Sequence, residues 1–254
     1  MFIIAVFSLI ILSVDWFFIP LGVNNQTDIH NPKYYIAHAG GSIDGLTYTN
    51  CKEALINSIE KGFQYIELDL YMTTDSQVVC LHKLENFNEM TGLQLDSLDY
   101  ESFINSSFYG KYTPLSLSEA IKIWEKHSFI LITDKISDPE VLNKYFLHHR
   151  NRVIVEAFSS NHYKRLKAYG YVPMLSLGKD DHSIKAYLSS SLKCGYFIDR
   201  VYTTSRTQDK YLRLLKKLGA NVTVSTQNDS DYYNSHLGRL VDQVYTDFWL
   251  PSRH

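Results

Sequence analysis

The stretch IELDLYMTTDSQVVCLH, residues 66–82, decides the fold. Side chains alternate across a β-strand, so Ile66, Leu68 and Leu70 share one face while Glu67 and Asp69 share the other. The apolar set requires a covering layer of helices. The two carboxylates therefore point the opposite way, into the mouth of an enclosed interior. Thr74-Asp75-Ser76 reads as a turn, and QVVCLH (77–82) as a short extra strand across it.

Working outward, strands and helices alternate. YYIAHAG (34–40) is rich in β-branched and aromatic residues and reads as the first strand. TNCKEALINSIEKG (49–62) reads as a helix, with Ala54, Leu55, Ser58 and Ile59 on its apolar face, Thr49 as cap and Gly62 as stop. Residues 83–115 are polar, aromatic and irregular, and read as an insertion. SLSEAIKIWEKHS (116–128) carries a Ser/Glu capping pattern. Further strands are expected at 129–135, 152–158, 171–177, 196–202, 221–226 and 242–247. Helices are expected at 138–150, 159–170, 183–195, 208–219 and 231–240. Eight main strands, each but the last followed by a helix, argue for a parallel sheet. They fit one α/β domain, a closed (β/α)8 or TIM barrel, over residues 33–254. An open doubly wound sheet is the competing architecture, but Gly40-Gly41 lacks the third glycine of a dinucleotide-binding turn.

The chain has 254 residues, 45% hydrophobic and 20% charged, which excludes a disordered or low-complexity protein. Lys+Arg 25 against Asp+Glu 27 leaves no basic excess for nucleic acid. Three cysteines, Cys51, Cys80 and Cys194, without CxxC spacing give neither a disulfide framework nor a zinc site. Residues 1–23 are nearly all apolar apart from Asp15. They approach the roughly 20 residues that a membrane-spanning helix needs. Three readings compete: an uncleaved signal anchor, a cleaved signal peptide, or an N-terminal element packed on the domain. The first two make the protein membrane-anchored or secreted, with an extracytoplasmic domain. Residues 24–32 read as a polar linker.

In a barrel of this kind the chemistry gathers at the C-terminal ends of the strands. His38, Glu67, Asp69, His82, Asp134, Glu156 and the pair Thr246-Asp247 all fall there. A lone histidine at a strand end is equally a structural hydrogen-bonding residue. Glu67 and Asp69 are more demanding. Two inward carboxylates repel each other and lose hydration unless a cation joins them. A hard divalent metal is the simplest partner, and an inward Lys or Arg is the alternative. Glu156 reads as a group behind the metal or the histidines, or as a buried hydrogen-bonded acid. Trp249 follows the last strand and flanks the expected pocket.

HAGG (38–41), YTN (48–50), EAL (53–55), the run 66–82 and the closing YTD (245–247) resemble the glycerophosphodiester phosphodiesterase family. That family carries a His-Arg-Gly opening, a Glu-Asn-Thr turn, Glu-x-Asp on a strand, a Thr-x-Asp-Gly turn and a second His. The resemblance implies that His38 and His82 are the catalytic pair. It also implies that Glu67, Asp69 and Asp134 hold a divalent metal, Ca²⁺ or Mg²⁺, and that Asn50 belongs to the substrate site. Departures are present. Ala39 stands where the family has its phosphate-holding Arg, Thr49 where it has Glu, and Lys83 where an Asp follows the second His. Asp134 is usually Glu, with Lys two positions on, whereas Lys135 is adjacent here. An Asp at this place also resembles the sphingomyelinase D-type phospholipases. Lys83 or Lys135 is positioned to replace the missing positive charge.

The implied chemistry is coherent. A metal neutralises a phosphoryl oxygen while one histidine takes a proton from the nucleophile and the other protonates the leaving alkoxide. A hydroxyl beside the phosphoester, as in glycerol, attacks first and gives a cyclic phosphate. We assign His38 as base and His82 as acid, an order that the sequence leaves open. Three functions stand: a metal-dependent phosphodiesterase acting on glycerophosphodiesters or related lipid head groups, a phospholipase acting on intact lipid, or a non-catalytic barrel that binds a phosphorylated ligand. The partner is a small phosphodiester or lipid-derived molecule, and the membrane if residues 1–23 anchor the chain. The insertion, with Phe87, Tyr100, Phe103, Phe108 and Tyr109, is either a lipid-contacting lid or a packed subdomain capping the barrel.

Overall fold

The computed structural model describes residues 28, 31–178 and 182–248. Residues 1–23, most of the linker 24–32, and Trp249 lie outside the described residues. The elements in order are β1 (Tyr35–Ala37), α1 (Lys52–Glu60), β2 (Tyr65–Met72), β3 (Val78–Cys80), α2 (Leu84–Thr91), α3 (Tyr100–Ile104), α4 (Leu117–Trp124), β4 (Ile130–Asp134), α5 (Pro139–Phe146), β5 (Val153–Ala157), α6 (Ser160–Ala168), β6 (Val172–Ser176), α7 (His182–Cys194), β7 (Arg200–Thr204), α8 (Asp209–Lys217), β8 (Asn221–Ser225), α9 (Ser230–His236) and β9 (Gln243–Thr246). All strands but β3 pair in parallel around a ring. β9 returns to β1, and β1 pairs with β2, which closes the barrel. β3 folds back antiparallel on the end of β2. Among the described residues no helix is long and apolar enough to cross a membrane.

The alternation in β2 sets two layers. Ile66, Leu68 and Leu70 are buried with Leu131, Val153, Val155 and the helix faces in the outer core. Burying each such side chain contributes roughly 1.5–3 kcal/mol. Laterally paired residues point to the same side of a sheet. Glu67 pairs with Ile132, Asp69 with Asp134, and Ile132 with Ile154. Ile36, Ile132, Ile154, Met174 and Tyr245 form a separate buried cluster inside the barrel. Below it, the Arg200 guanidinium donates to Asn221 Oδ1 and Gln243 Oε1, 2.9 Å each. The interior is thus apolar at mid-height, and its acidic groups are confined to the C-terminal mouth.

Several boundaries differ from the sequence expectation. β1 ends at Ala37, and His38 opens a short turn through Ala39 at φ 49°. The cap of α1 is Cys51, not Thr49. Tyr48 and Asn50 adopt φ 58° and 49°, so the chain is still turning there, and Cys51 Sγ accepts from Ala54 N at 3.4 Å. The strand expected at 196–202 starts only at Arg200. Gly195 turns the chain at φ 80°, and Ile198 is tied to Ser191 and Tyr187. Ser116 caps α4 as its sequence pattern predicts, accepting from Glu119 N at 3.2 Å.

The insertion is ordered rather than irregular. It contains α2 and α3 around its own core, in which the rings of Phe87, Phe103 and Phe108 lie 5.9–6.1 Å apart. Of the five aromatics named above, Tyr109 alone is exposed, at 45%, so the lipid-facing lid gives way to the packed subdomain. Phe87→Ala is expected to destabilise the chain by about 3–5 kcal/mol. Tyr109→Ala should change stability by no more than about 0.5 kcal/mol. Denaturant unfolding of both variants checks this pair.

Candidate active site

Glu67, Asp69 and Asp134 offer oxygens that all lie within 4.8 Å of one another at the barrel mouth. Two loops hold them. Ala39 N donates to Glu67 Oε2 at 2.8 Å, from a left-handed conformation that the turn after β1 imposes. Gly41 completes that turn at φ 93°. A Cβ there would lie 2.1 Å from Ser58 Oγ, which donates to Gly40 O. Asn50 grips Asp69 twice, its Nδ2 donating to Oδ2 at 2.9 Å and its Oδ1 accepting from Asp69 N at 3.0 Å. Lys135, left-handed at φ 68°, swings back over the cluster. Its Nζ lies 2.8 Å from Asp134 Oδ2 and 3.6 Å from Asp69 Oδ1.

The cluster is electrostatically incomplete. Burial, then the charges of Asp69 and Asp134, push the Glu67 carboxyl well above its ordinary range. Burial and Asp134 push Glu156 up to about 8, with Ser176 and Lys135 pulling the other way. Burial alone would lower the Lys135 ammonium, but Asp134, Asp69 and Glu67 outweigh it and raise it above the usual lysine value. Lys135 serves the Asp134 side, as the inward-lysine alternative requires. Glu67 Oε1, however, is buried with no hydrogen-bond partner. A buried, unpartnered carboxylate oxygen among all-oxygen donors fits a hard divalent cation, with Glu67, Asp69 and Asp134 as its holders.

His38 follows β1 and His82 follows β3 at the same end of the barrel. His38 Nδ1 lies 2.9 Å from Asp247 Oδ1, with Thr226 Oγ1 at 3.4 Å. A carboxylate only accepts, so Nδ1 carries the proton and Nε2 is left to meet a ligand. Asn228 supports Asp247, donating from Nδ2 to Oδ2 at 3.1 Å. Burial would raise the Asp247 carboxyl, but the hydrogen bond and charge of His38 outweigh it and hold it below the usual range. Leu81 N donates to Asp69 O at 3.0 Å, fixing the approach to His82. His82 Nδ1 meets Asn86 Oδ1 at 3.1 Å. Tyr48 stands between the imidazoles, edge-on to both.

The site therefore gathers His38, Asn50, Glu67, Asp69, His82, Asp134 and Lys135, with Glu156 behind them on β5. Lys83 is exposed at the start of α2 and makes no ion pair among the described residues. Asp247, Thr226, Asn228 and Tyr48 are the residues to which sequence reasoning gave no role. Asp247 was legible as a rim acid two residues past inward Tyr245. The other three depend on loop geometry.

The model of the glycerophosphoryl diester phosphodiesterase family matches residues 38–250, and the chain belongs to that family, whose activity is the hydrolysis of glycerophosphodiesters. Solved structures share the fold. A phosphodiesterase from Oleispira antarctica, determined with the product sn-glycerol-3-phosphate, superposes with a TM-score of 0.67 at 16% identity, over 84% of this chain and 92% of that one. A glycerophosphodiester phosphodiesterase from Thermotoga maritima gives 0.61 at 20% identity, over 84% and 94%. One from Agrobacterium tumefaciens gives 0.64 at 14% identity, over 85% and 96%. No curated protein matches the sequence.

The raised carboxyls of Glu67 and Glu156 bind more protons folded than unfolded, so their contribution is full below the ordinary 4.5 and lost as pH rises. In chelator, thermal stability should fall between pH 4.5 and about 8. Glu156→Gln should flatten that slope, and a series of melting curves against pH checks it.

Proposed function

We propose that the chain hydrolyses glycerophosphodiesters by two-histidine acid–base catalysis beside a divalent cation held by Glu67, Asp69 and Asp134. The observation that carries this reading is the buried, unpartnered Glu67 Oε1, at a barrel mouth that also carries two histidines whose Nδ1 atoms are both engaged. A bound Ca²⁺ or Mg²⁺ supplies neutralisation of a phosphoryl oxygen, and the all-oxygen donors suit either ion.

The chain's own groups supply the rest. His38 Nε2 takes the proton from the glycerol hydroxyl beside the phosphoester, and Asp247 stabilises the imidazolium that forms. His82 gives its proton to the departing alkoxide, and the two histidines exchange roles when water opens the cyclic phosphate. Lys135 contributes the positive charge that Ala39 lacks, through an ammonium that stays protonated beside Asp134. The apolar run of residues 1–23 supports an extracytoplasmic setting for this activity, reached through a signal anchor or a signal peptide.

A second reading, cleavage of intact lipid, draws on Phe158 and Phe248. They follow β5 and β9 at the catalytic rim and are 46% and 52% exposed. Vesicles against water-soluble diesters separate the two. For either substrate, His38→Ala and His82→Ala should each lower kcat by roughly 10²–10⁴. Chelation should abolish turnover, and restored Ca²⁺ or Mg²⁺ should recover it. Release of alcohol that survives chelation, or turnover unchanged in either variant, would overturn the proposal. Metal binding without any turnover would favour a binding protein.

A further inference from the structure

The two histidines reach the site from different parts of the fold. His38 follows β1 and is held by Asp247 at Nδ1 and by the Tyr245 ring at 5.8 Å. His82 follows β3 at the threshold of the insertion, where Asn86 of α2 holds its Nδ1. Hydrogen bonds to Asp247 and Asn86 fix each imidazole at one atom, and they do not relate one ring to the other. Tyr48 does. Its ring centroid lies 4.4 Å from that of His38 at an interplanar angle of 75°, and 5.3 Å from that of His82 at 76°. Both are the edge-to-face arrangement that aromatic quadrupoles favour.

The backbone is committed to this placement. Tyr48 sits at φ 58°, a region that bulky side chains rarely adopt and that persists where the surroundings impose it. Two residues on, Asn50 is also left-handed, held by its paired hydrogen bonds to Asp69. Thr226 Oγ1 approaches the His38 imidazole at Nδ1, at 3.4 Å. The Tyr48 ring is thus fixed at its backbone and by its two ring contacts.

We propose that Tyr48 is a positioning residue that sets the separation and tilt of His38 and His82. The inference rests on the phosphodiesterase reading for its kinetic consequence, though not for its structural one. One imidazole follows a barrel strand, and the other follows β3 with its Nδ1 held from the insertion by Asn86. Without the wedge, the His82 ring is oriented only through Asn86 of α2, and nothing ties its tilt to that of His38. Proton transfer to both sides of one phosphorus needs that separation fixed, and an error of about 1 Å lowers rates roughly 10²-fold.

The test uses the full-length chain with Tyr48→Asn and Tyr48→Phe. Asparagine tolerates the left-handed backbone, so it removes the ring without straining the turn. Phenylalanine keeps the ring and deletes the hydroxyl. With glycerophosphocholine as probe, Tyr48→Asn should lower kcat about 10²-fold and leave KM within about 3-fold. Tyr48→Phe should stay within about 3-fold of the parent in both constants. The imidazole NMR signals of His38 and His82 should move in the Asn variant and return in the Phe variant. Unmoved histidine signals in Tyr48→Asn would overturn the proposal. So would a rise in KM with kcat kept in both variants, which would make the hydroxyl a substrate contact. A parent enzyme inactive on every diester would sink the phosphodiesterase reading, while the NMR comparison still decides the positioning role.

Discussion

Three carboxylates enclosed at one end of a barrel are the constraint on which the rest of the site depends. Like charges within 4.8 Å repel, and burial removes the water that would screen them. The molecule answers with a lysine above the cluster, two loops that donate hydrogen bonds into it, and one oxygen of Glu67 left without a partner. The lysine and both loops use strained backbone. Ala39, Asn50 and Lys135 all adopt positive φ, and each places a donor on a carboxylate of the cluster. Such conformations cost of order 1–3 kcal/mol each and gather where a site over-determines them.

The fold makes this arrangement affordable. The apolar mid-layer of Ile36, Ile132, Ile154, Met174 and Tyr245 separates the acidic mouth from the Arg200 network below. The outer core of strand and helix residues supplies the stability against which the buried charges work. Polar groups are therefore concentrated at the end where the βα loops converge, and hydrogen-bond partners reach them from the segments after β1, β2, β4 and β9. The insertion extends the same logic. Its phenylalanine core packs on Cys51 and Ala54 at the start of α1 and on Val79 and Leu81, and it contributes one residue, Asn86, to the placement of His82.

How far the sequence disclosed this depends on the range of the interaction. The parity of β2 is local, so the inward Glu67 and Asp69 and the outward Ile66, Leu68 and Leu70 were legible from alternation. The barrel followed from the count of strand–helix units. Asp247 on His38 spans 209 positions, and nothing in either neighbourhood announces it beyond an acid at a strand end. Tyr48 was hidden because its role comes from a left-handed turn, which a tyrosine gives no reason to expect. The late start of β7 was masked by YFIDRVY, a run with strand propensity throughout. Its first half is used instead in tertiary bonds from Ser191 and Tyr187 and in the Asp199 contacts to Tyr163 and Lys167. The lysine at 135 was readable as a nearby charge, but its seat over Asp134 required the backbone reversal.

The Glu67–Asp69–Asp134 cluster has the donors to hold one divalent cation, as proposed above. Isothermal titration of the full-length chain with Ca²⁺ and with Mg²⁺, repeated in buffers of different ionisation enthalpy, addresses it most directly. The account predicts one ion per chain and a net release of protons at mildly acidic pH, since the raised Glu67 carboxyl must give up its proton to bind. It also predicts that Glu67→Gln abolishes both. Absence of binding to the parent chain, or binding that Glu67→Gln leaves intact, would contradict it.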